Sequence, residues 1–311
     1  MKHIAVMRLY LRIVNRVLLL LMILCFSVAA VAKDQLTIGI TLHPYYSFAA
    51  NIVKDKAKVV PLIDAGFNPH NYTPKPQDMK RILDFDALIV NGIGHDEWAF
   101  EIVQAAGRKD KLPLIYANEE VALIPVADSG NDTKVVNPHT FVSTTAAIQQ
   151  IYTIAKKLGE LDPDNARFYR NNAREYATRI RKMKAGYMEQ ISELDLSQFR
   201  CASMHAGYGY LLQEFGLQVT AVIEPRHGVQ PSARQLADTI DAIKASGVNI
   251  LFAEKYFTSK LSETIQEATG VKMFAFSHIS DGEFTPEKFE QEMQENIATL
   301  VTAIRSVANK N

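Results

Sequence analysis

Short apolar runs alternate with amphipathic segments through most of the chain. In the first half, the runs LTIGIT, KVVPLI, ALIVN and PLIY have the length and apolar content of buried β-strands. Helical periodicity is present from Tyr46 to Val53 and from Gln77 to Leu83. This alternation is typical of a parallel sheet whose strands are joined by helices. The pattern therefore predicts an α/β lobe.

The same alternation returns after residue 199. Its apolar runs are FRCASM, LQVTAVIE, VNILFA and VKMFAF, and its helical segments extend from Ser232 to Ser246, from Ser259 to Thr269 and from Pro286 to Val307. A chain of this length exceeds one typical domain. We therefore predict a second parallel-sheet α/β lobe.

A segment without strand signals, Ser143–Leu194, separates the two lobes. Its second half begins with Asp162-Pro163-Asp164, a favourable helix start, and Asn165–Ile191 contains no proline. One helix of ~27 residues would extend roughly 40 Å and could join the lobes rigidly. A coiled-coil arm is the alternative, but basic residues interrupt any sustained apolar seam. The predicted boundaries are 33–162 for the N-terminal lobe, 163–195 for the linking helix and 196–311 for the C-terminal lobe.

Residues 1–32 have the three parts of a secretory signal peptide. Basic residues precede an apolar run, Val17–Ala32, that is shorter than the ~20 residues needed to cross a bilayer. We predict cleavage after Ala32 and a periplasmic location, with a membrane anchor as the alternative. A lipid-anchored form is disfavoured because Leu24, which is not small, precedes Cys25.

The charge of the chain limits which macromolecules it can bind, and its cysteine content limits which disulfides it can form. The chain has 34 basic and 34 acidic residues, without the clusters of lysine and arginine that nucleic acids or anionic membranes require. Removal of the signal peptide leaves Cys201 as the only cysteine, so no internal disulfide can form. We expect a monomer that does not bind nucleic acid.

Candidate metal ligands follow strands in both lobes. The tripeptide Asn-Pro-His occurs twice, ending at His70 and His139, and its proline restricts the backbone before the imidazole. His205 follows the first strand of the second lobe, and Asp281 follows the last. Ligands of α/β sheets bind at the carboxyl ends of strands, and imidazole with carboxylate suits zinc. Each histidine taken alone is more often a polar surface residue or a hydrogen-bonded residue than a metal ligand.

The segment GFNPHNYTPKPQDMKRILDFDALIVNGIGHDEW resembles the signature of the zinc and manganese solute-binding proteins of ABC importers. The resemblance continues, in the family's order, through NPHTF, SMHAGYGYLLQEFGL, QPSARQLADTI and FAEKYFTSKL. It implies one metal site whose ligands are His70, His139, His205 and Asp281. It also implies a non-enzymatic protein that delivers the ion to an importer permease. Because manganese carriers have glutamate where this chain has His205, the resemblance favours Zn²⁺.

Several positions depart from the family pattern. The loop VADSGNDTKVV is short and lacks histidine, so a separate chaperone could load the protein with zinc. In addition, Asn137 stands where the family usually has aspartate. Additional histidines near the cleft are His95, His227 and His278. We interpret His278 as a hydrogen-bonded loop residue, with an alternative role as a ligand. Glu254 is expected to have a structural role near the cleft.

Three rival interpretations remain at this stage. The protein could carry manganese or iron instead of zinc, or it could be an adhesin in which the metal only stabilises the fold. It could also be a secreted zinc hydrolase in which Glu224 or Glu254 activates a metal-bound water.

Overall fold

Two four-stranded parallel sheets form the centres of two lobes in the computed structural model. The structure describes residue 7 and residues 35–67, 69, 72–125, 135–224, 232–255 and 260–310. Apart from residue 7, the predicted signal peptide and its cleavage position lie outside the described residues. Within the described part of the chain, no helix combines the length and the apolar character that a bilayer crossing requires.

The first lobe follows the predicted alternation of strands and helices. Its elements in chain order are β1 (Leu36–Ile40), α1 (His43–Val53), β2 (Ala57–Pro61), α2 (Pro76–Arg81), β3 (Ala87–Val90), α3 (Glu97–Ala105) and β4 (Leu114–Tyr116). The strands are ordered β2-β1-β3-β4. The chain therefore reverses its direction of travel across the sheet between β1 and β3, where α/β proteins place their ligands.

The second lobe repeats this order. Its elements are β6 (Cys201–His205), α6 (Gly209–Glu214), β7 (Val219–Glu224), α7 (Ala233–Ser246), β8 (Ile250–Glu254), α8 (Lys260–Thr269), β9 (Lys272–Phe276) and α9 (Lys288–Val307). The strand order is β7-β6-β8-β9, so the corresponding reversal lies between β6 and β8. The prediction of two parallel-sheet lobes is confirmed.

Two helices connect the lobes: α4 (Thr144–Leu161) and α5 (Ala166–Glu189). The α5 helix has 24 residues, which corresponds to roughly 36 Å. Its buried residues recur every three or four positions, so one face packs on the protein: Tyr169, Asn172, Ala173, Tyr176, Ala177 and Ile180. The predicted long helix is therefore present, one residue shorter at its start and two at its end. Beyond α5, β5 (Leu194–Asp195) pairs antiparallel with β10 (Asn309–Lys310).

One buried apolar cluster extends through both lobes. It includes Ile38 and Ile89 from the first sheet, Phe252 and Phe276 from the second, and Tyr176 from α5. Because the two lobes and the linking helix share this core, separating the lobes would expose apolar surface to water. This packing agrees with the rigid connection that the sequence predicts for the linking helix.

The α1 helix also binds the loop that precedes α9 in the second lobe. Ser47 Oγ donates to the Thr285 carbonyl oxygen at 2.8 Å, and Asn51 Nδ2 donates to the Pro286 carbonyl oxygen at 2.8 Å. The His43 ring donates from Nε2 to the Gly282 carbonyl oxygen at 2.8 Å. These bonds hold the segment that follows His278 and Asp281 against the first lobe.

The buried His43 ring predicts a specific loss of stability in acid. Burial lowers the pKa of His43 to about 4, from an ordinary value of 6.5. Between these values the unfolded chain takes up a proton that the folded protein does not, so stability falls as pH falls. We expect this residue alone to remove about 3 kcal/mol of the free energy of unfolding between pH 6.5 and pH 4.

Urea titrations of the wild type and of His43→Gln across this pH range measure the effect. Glutamine keeps a donor for the Gly282 carbonyl but does not titrate, so the variant should lack this component. Parallel stability profiles for the two proteins would contradict the expectation.

Candidate metal centre

Four buried histidines meet between the lobes: His95 and His139 from the first lobe, and His205 and His278 from the second. The His139 ring centroid lies 4.9 Å from that of His95, 4.6 Å from that of His205 and 4.7 Å from that of His278. The His205 and His278 centroids are 5.2 Å apart. His139 is therefore the centre of the group, hereafter the histidine cluster.

The ligand atoms of the histidine cluster are close enough to share one cation. Nε2 of His139 lies 3.0 Å from Nε2 of His205. One potential ligand atom from each of His95, His139 and His278 lies within 4.8 Å of the others. Two nitrogens bound tetrahedrally to zinc at about 2.1 Å are about 3.4 Å apart. Small side-chain movements would therefore bring these nitrogens to bonding distance from one ion.

Asp96 fixes the loop that presents His95. Its carboxylate accepts hydrogen bonds from Thr41 Oγ1 at 2.7 Å, from the Asn91 backbone N–H at 2.6 Å and from the Gly92 backbone N–H at 3.2 Å. Burial raises the pKa of Asp96 to about 6. His95 itself has a φ of +87°, a left-handed conformation uncommon for residues other than glycine. The loop after β3 therefore holds His95 in one unusual conformation.

Asn137 orients His139 and also contacts the second lobe. Its Oδ1 accepts hydrogen bonds from the His139 ring Nδ1–H at 2.7 Å and from the His139 backbone N–H at 3.1 Å. This arrangement fixes the tautomer and leaves Nε2 to face His205. The Asn137 side-chain Nδ2 donates to the Ala206 carbonyl oxygen at 2.8 Å, next to His205. The amide thus ties together the loops that carry two of the histidines.

Replacement of Asn137 should weaken metal binding without removing a ligand. We expect Asn137→Ala to lower metal affinity about 10- to 100-fold, the range typical for partners that orient a metal-binding histidine. Asn137→Asp keeps an acceptor for the ring but cannot donate to Ala206, so its loss should be smaller than that of the alanine variant. Isothermal titration measures both affinities.

Asn249→Ala provides the control, because Asn249 binds the Gln198 carbonyl oxygen at the opposite, amino end of β8. Equal affinities for wild type, Asn137→Ala and Asn249→Ala would show that Asn137 does not orient His139.

His278 is held by its surroundings in the second lobe. Its Nδ1 lies 3.5 Å from Oε1 of Glu254, and the two side chains are 1% and 8% exposed. Gly207 provides the space, because a Cβ atom there would lie 2.5 Å from Cε1 of His278 and 3.1 Å from Cδ2 of His205. Asn296 of α9 exchanges two hydrogen bonds with the Ser277 backbone, at 2.7 and 2.8 Å. These contacts therefore fix the position of the His278 ring.

The structure bears differently on the four metal ligands that the sequence predicts. His139 and His205 lie in contact, whereas His70 falls outside the described residues. Asp281 is half-buried near the cluster, and together with Glu254 it raises the pKa of the buried Tyr208 hydroxyl beyond the effect of burial. Its role as a ligand stays a prediction.

The sequence predicts no ligand role for His95 and only an alternative one for His278, yet the structure places both in the histidine cluster. The available signal was their position: His95 follows β3 and His278 follows β9, each after the carboxyl end of a strand.

Comparisons with known proteins place the chain in a family. The family model described as ZnuA, the periplasmic component A of a zinc-uptake complex, matches residues 38–303. The high-affinity zinc uptake system protein ZnuA of Bacillus subtilis is 26% identical over 247 residues, which cover 77% of each chain.

Solved structures of a bacterial solute-binding protein are more similar. FpvC from Pseudomonas aeruginosa in complex with Mn²⁺ has 49% sequence identity and a TM-score of 0.84, with 88% of this chain and 99% of that chain covered. FpvC in complex with Ni²⁺ has 48% identity and a TM-score of 0.83, with 89% and 100% covered. The chain belongs to the ZnuA family of periplasmic metal-uptake components.

Proposed function

We propose that this chain is a periplasmic solute-binding protein that captures one divalent transition-metal ion between its lobes and delivers it to an ABC importer. The observation that carries the proposal is the meeting of four buried imidazoles from both lobes. Neutral imidazole suits Zn²⁺, Ni²⁺, Cu²⁺ and Fe²⁺. A cation held from both sides would also bind the two lobes to each other, which gives an importer a way to recognise the loaded protein.

His139 and His205 are the two ligands of this proposal with direct geometric support. Their facing Nε2 atoms are 3.0 Å apart, and Asn137 fixes the tautomer of His139. His70 and Asp281 complete the set expected from the family resemblance. A site filled by four or more protein ligands leaves no open position for a reactive water, so transport is favoured over hydrolysis.

Zinc is the first candidate for the transported ion. Histidine at position 205 supplies nitrogen where manganese carriers have a carboxylate, and the Bacillus subtilis relative is named for zinc uptake. The FpvC structures favour a second candidate, because they contain Mn²⁺ and Ni²⁺. We therefore propose zinc as the transported ion and Ni²⁺ or Mn²⁺ as the alternative.

Metal analysis of the exported protein tests the proposal. The mature chain is purified from the periplasm without added metal, and its metal content is measured by mass spectrometry and then by titration of the stripped protein. We expect about one equivalent of zinc per chain and no tight binding by the His139→Ala/His205→Ala double variant. Absence of any tightly bound divalent ion in the wild type, or equal binding by the double variant, would overturn the proposal.

A further inference from the structure

We infer that His95 and His278 also donate nitrogen to the captured ion, and that Glu254 positions His278 for this role. The inference rests on the proposed function, since it concerns the same cation in the same cleft. It goes further by naming two ligands outside the set expected from the family. It also predicts a preference for ions that favour nitrogen, Ni²⁺ and Zn²⁺, over Mn²⁺.

The first argument is distance. His95, His139 and His278 each present a ligand atom within 4.8 Å of the other two, a grouping that includes two residues outside the expected set. His205 joins the same group through its 3.0 Å contact with His139. A cation placed beside Nε2 of His139 would therefore have imidazoles on several sides.

The second argument is the surroundings of the rings. His95, His139 and His278 are only 6%, 3% and 2% exposed. All three pack around the fully buried Phe141 ring, with centroid distances of 5.3, 6.1 and 6.0 Å. The apolar wall excludes water from these imidazoles, so the local dielectric constant is low. In such an environment a bound cation interacts strongly with nitrogen donors.

The third argument is the link between Glu254 and His278. Oε1 of Glu254 lies 3.5 Å from Nδ1 of His278, and both side chains are almost completely buried. Metal-binding histidines commonly interact with a carboxylate through the ring nitrogen that faces away from the metal. Glu254 stands in that relation to His278, and its negative charge would offset part of the charge of a divalent ion.

The fourth argument is backbone conformation. His95 has a φ of +87°, and Ile279, the residue after His278, has a φ of +59°. A left-handed conformation is rare for a β-branched residue, and such conformations concentrate at functional sites. Ile279 is fully buried, so the surrounding core holds this conformation in place. Of the three non-glycine residues with positive φ in the described part of the chain, two lie at the two histidines in question and the third is Lys54.

The additional nitrogens should alter the choice of ion. Affinity for nitrogen donors rises from Mn²⁺ through Fe²⁺ and Co²⁺ to Ni²⁺, whereas carboxylate oxygens suit Mn²⁺ better. Each imidazole added to the site therefore increases the ratio of Ni²⁺ affinity to Mn²⁺ affinity. Loss of His95 or His278 should reduce that ratio.

Competition titrations with Ni²⁺ and Mn²⁺ test the inference. The wild type is compared with His95→Gln, His278→Gln and Glu254→Gln, and thermal unfolding of the metal-free proteins verifies that each variant folds. We expect each histidine variant to lower Ni²⁺ affinity at least tenfold and to reduce the Ni²⁺-to-Mn²⁺ ratio, with a smaller loss for Glu254→Gln. Asn249→Ala removes a side chain at the opposite, amino end of β8 and should keep the wild-type ratio.

Nuclear magnetic resonance of the wild type tests the same two ligands without a substitution that could disturb the fold. In protein labelled with ¹⁵N-histidine, addition of Zn²⁺ should move one ring nitrogen of His95 and one of His278 to the shift of a metal-bound imidazole. Wild-type ratios in both histidine variants, or unshifted rings for both residues in zinc-loaded protein, would overturn the inference. A wild type that binds no ion at all would instead overturn the proposed function.

Discussion

Replacement of His139 by alanine is expected to abolish tight metal binding while the protein remains folded. The His139 ring is the most central of the histidine cluster, with centroids 4.6, 4.7 and 4.9 Å from those of the other three rings and Nε2 only 3.0 Å from Nε2 of His205. Loss of a residue that merely orients a ligand costs up to about 100-fold in affinity, so loss of the central ligand should cost more than that.

Isothermal titration of the stripped His139→Ala variant with Zn²⁺ measures the effect, and circular dichroism reports whether the fold survives. The alanine variant leaves a cavity beside Phe141, so a modest decrease in stability is also expected. Asn249→Ala is the control, because Asn249 binds the Gln198 carbonyl oxygen at the amino end of β8, away from the cluster. An affinity within about tenfold of the wild type would contradict a central role for His139.

Replacement of Phe276 by alanine is expected to cause the largest loss of stability among the residues near the site. The side chain is completely buried at the end of β9, with its ring centroid 4.2 Å from that of Phe252 and 4.9 Å from that of Tyr208. Truncation of a buried phenylalanine costs about 3–5 kcal/mol because apolar contacts are lost and a cavity remains. This is a large part of the about 5–15 kcal/mol that stabilises a typical protein.

Urea unfolding of the Phe276→Ala variant measures the change. Metal affinity should fall as well, because Phe276 ends the strand from which the His278 loop begins. Phe274→Ala, two residues earlier on the same strand and only partly buried, is the control and should lose less stability. A loss below about 1 kcal/mol for Phe276→Ala would show that the core relaxes around the cavity.

The regular elements were largely predictable because each carries a local signal. Every predicted strand of the two sheets is present within two residues of its expected bounds, since buried parallel strands are short continuous apolar runs. The linking helix α5 was predictable because Asn165–Ile191 has no proline and follows a favourable start. The α3 helix was not predicted because its nine residues follow directly after a glycine-rich loop.

The composition of the histidine cluster was harder to predict. His139 and His205 were expected because their motifs resemble those of a known family. His95 and His278 carry no comparable motif, and their approach depends on contacts between residues far apart in sequence, such as the placement of His278 opposite Gly207. The β5–β10 pair was unpredictable for the same reason, because it joins two-residue strands separated by almost the whole second lobe.

Anomalous diffraction from crystals of the zinc-loaded protein, recorded at the zinc absorption edge, tests the central claim most directly. We predict one strong anomalous peak in the cleft, within about 2.3 Å of Nε2 of both His139 and His205. A strong peak elsewhere on the protein, with no anomalous signal between these two rings, would contradict the account.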